Sequence, residues 1–187
     1  MRLVFLGPPG SGKGTQAGML ADRTGILHLS TGDILRGAAA LGTPTGMKAR
    51  RFMDKGQLVP DAVVDALVAE RLTGADAGAF VLDGYPRNVS QAEALARLLA
   101  AEGIALDAVL FLDVADEVLV ARIAGRRDRR ADDTEEVVRA RLEVYRAETE
   151  PLVAYYQAQG LLGRIDGARL IDQVRDAVTA TLEGISA

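Results

Sequence analysis

Short runs of apolar residues alternate along the chain with longer segments in which apolar positions recur at the spacing of a helix. A short apolar run predicts a buried strand, and apolar positions that repeat once per helical turn predict one face of a helix. Strands that alternate with helices indicate an α/β fold, in which helices cover both faces of a parallel sheet. The predicted strands are residues 2–6, 26–29, 79–83, 108–114 and 161–166. The predicted helices are one that follows the glycine-rich loop after the first strand, and residues 62–71, 91–102, 117–123, 135–159 and 170–182.

Two segments depart from this alternation. Residues 30–59 show no strand pattern and are rich in glycine, and residues 125–133 are almost entirely charged. The arginines of the second segment would repel one another unless an anion or acidic groups lay among them; a solvated charged loop is the alternative. Asp133 and Glu136 fit a capping box at the start of the long predicted helix.

Composition narrows the class of protein. The chain has 187 residues, 22 basic and 26 acidic, and a net charge of −4, which suits one globular domain and argues against a non-specific nucleic-acid binder. No apolar run approaches the roughly 20 residues of a membrane-spanning helix. The chain has no cysteine, which excludes disulfides and cysteine-based zinc sites and fits a reducing compartment.

The loop at residues 7–15, GPPGSGKGT, has the spacing of a Walker A phosphate-binding loop. Its glycines allow backbone conformations that turn N–H groups inward, and the following helix adds its positive N-terminal end. Lys13 supplies a mobile positive charge for the outer phosphates. Gly14 occupies the usual position of the Mg²⁺-binding hydroxyl residue, and Thr15 follows it. A dinucleotide-binding loop is the alternative, but its glycine spacing differs and it has no role for Lys13.

Four motifs in this order resemble the adenylate kinase family: GPPGSGKGT at residues 7–15, STGD at 30–33, DGYPR at 83–87 and RADD at 130–133. The resemblance spans nearly the whole chain. It implies one P-loop kinase domain with a five-stranded parallel sheet, helices on both faces, an inserted segment at 30–59 that binds the nucleoside monophosphate, and a short lid at 125–133. The implied reaction is reversible phosphoryl transfer from MgATP to AMP, which yields two molecules of ADP.

The resemblance also implies which residues bind each nucleotide. Lys13 and an arginine cluster would stabilise the transferring group, Arg122 would stack on the ATP base, and Asp83 would hold Mg²⁺ through water. The implied ATP-binding residues are Gly10, Ser11, Gly12, Lys13, Gly14, Thr15, Arg122, Arg126, Gly167, Ala168 and Arg169. The implied AMP-binding residues are Thr31, Arg36, Met53, Gln57, Leu58, Val59, Gly84, Arg87, Gln91, Arg130 and Arg141. The implied catalytic residues are Lys13, Arg87, Arg122, Arg126, Arg130 and Arg141.

The chemistry explains why such a protein needs arginines. An AMP phosphate is already a nucleophile, so catalysis consists of positioning and charge neutralisation, which forked guanidinium groups perform well. Taken singly, an arginine is more often a solvated surface charge than a functional group. The lid holds four of them, and the spacing does not decide which one meets the transferring phosphate: Arg126, Arg127, Arg129 or Arg130.

The choice of acceptor base rests on few positions. Thr31 occurs where pyrimidine-monophosphate kinases usually carry alanine, and the Gln91 amide offers the donor and acceptor that suit adenine. Asn88 favours the pyrimidine relatives instead, and Gln91 also fits a helix-start box with Asn88. AMP is therefore the expected acceptor, and a UMP/CMP kinase or another small P-loop kinase is the alternative.

The remaining expectations concern cofactors, partners and residues without a special role. Mg²⁺ is expected with ATP, and zinc is not. We expect nucleotides as ligands, no nucleic acid or membrane partner, a monomer, and a cytoplasmic location. His28 is expected to pack rather than catalyse, and Tyr145, Tyr155 and Tyr156 are expected to pack against the core.

Overall fold

A five-stranded, entirely parallel sheet forms the centre of the computed structural model, which describes residues 1–72, 78–125 and 134–186. The strand order is β2-β3-β1-β4-β5, so the first strand lies in the middle. This arrangement confirms the predicted α/β class and five-stranded parallel sheet. The strands are β1 (Arg2–Leu6), β2 (Leu27–Ser30), β3 (Phe80–Asp83), β4 (Ala108–Asp113) and β5 (Leu162–Asp166).

Helices connect successive strands. Within the described residues none of them combines the length and apolar character needed to cross a membrane. The helices are α1 (Lys13–Thr24), α2 (Thr31–Ala40), α3 (Pro44–Met53), α4 (Asp61–Arg71), α5 (Val89–Ala101), α6 (Asp116–Ala124), α7 (Glu135–Val144), α8 (Pro151–Ala158) and α9 (Ile171–Ser186).

Apolar side chains cover both faces of the sheet. Along β1, Val4 and Leu6 belong to the core layer that α4, α5 and α8 complete. Leu3 and Phe5 belong to the opposite layer, against α1 and α9. Because successive side chains of a strand point to opposite faces, a strand buried on both sides must be apolar throughout. The predicted two-sided covering of the sheet is thus confirmed.

The sheet register brings three strand ends to one place. Asp83, the last residue of β3, pairs with Phe5 of β1 on one side and with Ser30 of β2 on the other. The carboxyl ends of parallel strands form the edge at which ligands bind in open α/β sheets. The glycine loop, the segment at 30–59 and the loop that follows Asp83 all leave from this edge.

The structure corrects two details of the helix predictions. The helix expected over residues 135–159 is interrupted by a π-helical turn, Tyr145–Thr149, in which the Glu150 N–H donates to the Tyr145 carbonyl at 2.8 Å. Pro151, which has no N–H to donate, begins α8 directly afterwards. The N-cap of α7 is Thr134, whose hydroxyl accepts from the Val137 N–H at 3.4 Å, rather than Asp133, which lies outside the described residues.

Candidate active site

A cleft of about 610 Å³ opens at the carboxyl ends of β1, β2 and β3. Its walls come from the glycine loop, the segment at 30–59, the loop after β3 and the helical region around α7. The predicted site residues that line it are Gly10, Gly12, Lys13, Gly14, Thr15, Thr31, Arg36, Met53, Gln57, Leu58, Val59, Asp83, Gly84, Arg87 and Arg141. Most of the residues inferred for the two nucleotides therefore surround one space.

The glycine loop adopts the conformation that its sequence predicts. Gly7, Gly10 and Gly12 have φ values of 148°, 87° and 98°, in the region that side chains disfavour. At Gly7 a Cβ atom would lie 2.8 Å from the Leu112 carbonyl oxygen, so the close approach to β4 also requires glycine. The Lys13 ammonium donates to the carbonyl oxygens of Gly7 at 2.7 Å and Pro8 at 2.9 Å. The Lys13 side chain is therefore folded back across the loop.

The unusual Gly14 has a structural explanation. A Cβ atom at this position would lie 3.1 Å from Oδ2 of Asp83, tighter than an ordinary van der Waals contact. A serine or threonine side chain would compete with that carboxylate for the same space. Gly14 therefore lets the β3 terminal carboxylate approach the first turn of α1.

Two guanidinium groups converge on the ends of β2 and β3. Arg36 forms an ion pair with Asp33, and the Arg87 Nε–H donates to the Gly84 carbonyl at 2.8 Å. Burial lowers the pKa of Arg87, and the positive charge of Arg36 acts in the same direction, whereas the Asp83 carboxylate opposes it. Because arginine starts from so high a pKa, the group stays charged, and the cleft has a desolvated cation beside a second one.

Hydrogen bonds from two threonines hold the loop that carries Arg87. The buried Thr31 hydroxyl donates to the Gly84 carbonyl at 2.9 Å, and the buried Thr149 hydroxyl donates to the Arg87 carbonyl at 2.7 Å. Thr31 was inferred as a base-selecting residue, and this contact gives it a role in the loop itself. Thr149 lines the cleft but was missed, since a threonine on a predicted helix gives no sequence signal for such a contact.

The Gln91 side chain takes part in a network at the start of α5. Its Oε1 accepts from the Arg87 N–H at 2.8 Å, and its Nε2 donates to Asp61 at 2.8 Å. Its own N–H donates to Oδ1 of the N-cap Asn88 at 2.9 Å. The side chain is 1% exposed and is not among the residues that line the cleft. The structure therefore places Gln91 in the helix-start arrangement that was its alternative interpretation, directly behind Arg87.

The residues inferred for the ATP base lie together, beside the cleft rather than in its lining. Arg122 donates to the carbonyl oxygens of Gly167 at 2.7 Å, Ala168 at 3.1 Å and Arg169 at 3.3 Å. Hydrogen bonds from the Ala168 N–H and the Arg169 side chain lower the pKa of Asp166, which ends β5. One guanidinium thus holds the backbone of the loop that follows the last strand.

The lid arginines Arg126, Arg127, Arg129 and Arg130 lie outside the described residues. Ser11 is buried and does not line the cleft, and its hydroxyl has no hydrogen-bond partner in the described part of the chain. Ser11 therefore forms the underside of the glycine loop.

Tyr145 lines the cleft, although its helical spacing predicted only core packing. Its hydroxyl is buried and has no hydrogen-bond partner within the described residues. Burial raises the pKa of this hydroxyl, and the negative charges of Glu150 and Asp113 act in the same direction. The residue begins the π-helical turn, a feature that apolar periodicity does not reveal.

Comparison with known proteins gives a consistent result. The family model described as adenylate kinase matches residues 5–161. The chain is 52% identical to an adenylate kinase of Stenotrophomonas maltophilia, over 98% of this chain and 100% of that one. It is 50% identical to an adenylate kinase of Methylorubrum populi, over 98% and 96% of the two chains. It is 46% identical to an adenylate kinase of Thermodesulfovibrio yellowstonii, over 98% and 99%.

Proposed function

We propose, since the chain belongs to the adenylate kinase family, that it transfers a phosphoryl group reversibly from MgATP to AMP. It is a nucleoside monophosphate kinase, and its reaction is ATP-dependent phosphoryl transfer. The observation that carries the assignment of roles is that Lys13 and the pair Arg36 and Arg87 line the same cleft. A protein that binds a single nucleotide needs Lys13 but has no use for a second group of cations such as Arg36 and Arg87.

The donor triphosphate is assigned to the glycine loop. Inward-facing N–H groups and the N-terminus of α1 suit its anionic oxygens. In this structure the Lys13 ammonium is held by two loop carbonyls, so phosphate oxygens would replace neutral acceptors by charged ones, which make stronger hydrogen bonds. Its base is assigned to the loop that Arg122 holds, at residues 167–169.

The acceptor phosphate is assigned to Arg36 and Arg87. Burial and the charge of Arg36 lower the pKa of Arg87 although the Asp83 carboxylate opposes them, so this guanidinium would gain from a further anionic partner. An anionic phosphate bound by the two guanidinium groups would offset the burial of Arg87 and gain forked hydrogen bonds. The apolar wall of Leu58 and Val59 lines the same cleft and suits a base. AMP is the proposed acceptor because the similar proteins are adenylate kinases, and a UMP/CMP kinase is the alternative.

Mg²⁺ is assigned to the space between the two sites. Asp83 lines the cleft at the end of β3, with Oδ2 close to Gly14, and carboxylate and water oxygens are the ligands this ion prefers. Asp83 would hold the ion through water, and Thr15 lies nearby on α1. When bound, the ion would neutralise phosphate charge.

The chain's own residues supply position and charge rather than proton transfer. Lys13 and Arg87 would draw the donor and acceptor phosphates together, and Arg141 lines the same cleft. Preorganised cations in a closed site stabilise the charge that spreads over the transferring oxygens. The segments at 30–59 and 125–133 are assigned as the AMP-binding insertion and the lid. The role of Arg126 and Arg130 in the lid is carried by the family resemblance alone.

We also propose that the protein acts as a monomer in the cytoplasm, on ATP, AMP and ADP. One chain supplies both phosphate-binding regions of the cleft, so the site does not need a second copy. The lack of cysteine fits a reducing compartment.

A coupled assay tests the function directly. Purified protein, MgATP and one of four acceptors (AMP, UMP, CMP or GMP) are mixed, and nucleoside diphosphate formation is followed. The expected result is rapid transfer to AMP and much slower transfer to the others. Preferred transfer to UMP or CMP would replace this assignment by the pyrimidine alternative. Tight ATP binding without transfer to any acceptor would indicate a nucleotide-binding protein instead of a kinase.

A further inference from the structure

The first residue of α4 touches the loop that carries Arg87. Asp61 follows directly after the cleft-lining residues Leu58 and Val59 and after Pro60. Both of its carboxylate oxygens accept from the Asn88 amide, at 3.1 and 3.2 Å, and Oδ1 also accepts from Gln91 Nε2 at 2.8 Å. One carboxylate thus joins the end of the inserted segment to the start of α5.

The contact fixes the orientation of the Gln91 amide. Asp61 can only accept, so it takes the NH₂ end, and the oxygen end then faces the Arg87 N–H, which can only donate. With the amide reversed, Nε2 would face the Arg87 N–H, a donor against a donor, and Oε1 would face the Asp61 carboxylate, an acceptor against an acceptor. Because Gln91 is 1% exposed, such mismatched groups would have little water to turn to.

We infer that Asp61 is a positioning residue for acceptor recognition, an inference that rests on the proposed function. Through Gln91 it holds the backbone N–H of Arg87, and it fixes which end of the amide is donor and which is acceptor. Because Arg87 is assigned to the acceptor phosphate, a displaced Arg87 backbone would weaken the binding of the acceptor and leave the donor site unchanged. The carboxylate of Asp61 touches neither nucleotide in this assignment.

A second carboxylate of α4 provides the matched control. Asp65 lies one helical turn after Asp61 and accepts from the Tyr85 hydroxyl at 2.7 Å. In the variant Asp65→Asn the side-chain oxygen can still accept that bond, while the same negative charge is lost from the same helix. In Asp61→Asn, by contrast, one carboxylate oxygen becomes a donor where only donors face it.

The experiment measures the KM values for AMP and ATP separately. For Asp61→Asn we expect the AMP KM to rise about tenfold, the cost of one lost buried hydrogen bond, with the ATP KM nearly unchanged. Asp65→Asn should leave both values near those of the unmodified protein. A merely structural role would lower the active fraction without separating the two KM values. An unchanged AMP KM, or an equal rise for ATP and AMP, would overturn the inference.

A paired substitution supplies the rescue. In Asp61→Asn combined with Gln91→Glu, the new carboxylate at position 91 accepts from both the Arg87 N–H and the new amide at position 61. We expect the pair to be more active than Gln91→Glu alone, which places two carboxylates together. Additive effects of the two substitutions would contradict the proposed contact.

Two further outcomes complete the test. Should Asp61→Asn fail to fold, the pair decides: a folded, active pair supports the inference, and a pair that does not fold or transfer overturns it. The unmodified protein is assayed beside the variants with AMP and with UMP. If it does not prefer AMP, the proposed function fails; if it does and the variants show no AMP effect, only the role of Asp61 fails.

Discussion

The hydroxyl of Thr149 donates a 2.7 Å hydrogen bond to the backbone carbonyl of Arg87. The backbone N–H of Arg87 donates to Oε1 of Gln91 at 2.8 Å. Both polar groups of the Arg87 backbone are therefore held by side chains, one from the π-helical turn and one from α5. A loop fixed in this way keeps its guanidinium directed at the strand ends without the help of regular secondary structure.

Thr149→Val tests the first of these bonds, since valine keeps the shape of the side chain and removes the donor. The Arg87 carbonyl would lose its buried partner, so we expect the free energy of unfolding to fall by about 1–3 kcal/mol. Thr149→Ser keeps the hydroxyl and is the control. Urea denaturation measures both. Equal stability of the valine and serine variants would show that the hydrogen bond contributes nothing.

Arg87 itself is the strongest candidate for a catalytic arginine among the described residues. In Arg87→Ala the acceptor phosphate would lose a desolvated cation, and we expect kcat to fall on the order of 10²–10³-fold. Arg87→Lys keeps the charge without the fork and should recover only part of the loss. Arg97, which is 71% exposed and pairs with Glu93, is the control. Steady-state kinetics on the folded variants measure these changes. A fully active Arg87→Ala variant would contradict the assignment of Arg87 to the acceptor phosphate.

Arg122 should affect the opposite nucleotide. Its guanidinium holds the carbonyl oxygens of the loop at 167–169. We expect Arg122→Ala to raise the KM for ATP about tenfold, by loss of charge-assisted hydrogen bonds that shape the loop. The KM for AMP should stay near its original value. The exposed Arg139, paired with Glu135, serves as control. If only the KM for AMP rose, Arg122 would act at the acceptor site, which would contradict its assignment to ATP.

The sequence predicted those parts of the molecule whose cause is local. The glycine loop follows from residues 7–15 alone, because its conformation needs glycine at fixed positions. The apolar runs predicted all five strands; burial on both faces explains β1, β3 and β4, whereas the edge strands β2 and β5 are only partly buried. The helix-start box of Asn88 and Gln91 was recognisable as an alternative because capping is also local.

Contacts between distant segments could not be predicted in this way. Asp61 and Gln91 are 30 residues apart, and Thr149 and Arg87 are 62 apart. Neither pair produces a periodic pattern of residues in the sequence. The helices α2 and α3 were missed within 30–59 because glycines at 32, 37 and 46 lower helix propensity. Tertiary packing overrides that preference, since the two helices lie against each other.

Substitutions at Gly46 and Gly37 test whether the packing of α2 against α3 explains the glycines of residues 30–59. At Gly46 a Cβ atom would lie 2.1 Å from the Ala38 carbonyl carbon, so α3 packs directly on the α2 backbone. We expect Gly46→Ala to separate the helices, cost about 1–3 kcal/mol and weaken AMP binding. At Gly37 nothing lies within 4 Å, so Gly37→Ala should stabilise α2 by about 0.5–1 kcal/mol. Thermal unfolding measures both, and a harmless Gly46→Ala would contradict the close packing.

Acid should weaken the link between the chain's start and β4. Asp107 accepts from the Arg2 N–H at 2.6 Å and from the Arg2 guanidinium at 2.8 and 3.3 Å. Burial alone would raise the pKa of Asp107, but these hydrogen bonds and the Arg2 charge outweigh it and lower the pKa. A carboxyl with a lowered folded-state pKa stabilises the protein fully above its unfolded value of about 3.9, and the contribution is lost as pH falls through the folded-state value.

Asp107→Asn should therefore destabilise the protein at pH 7 and much less in acid. Because the carboxylate is one-third exposed, solvent screens the pair, and we expect a loss of about 1 kcal/mol at neutral pH. The difference in unfolding free energy between the two proteins should shrink once the pH falls below about 4. Urea denaturation at both pH values measures it. A difference that is the same at neutral and acidic pH would mean that the lost interaction is not the ionised carboxylate.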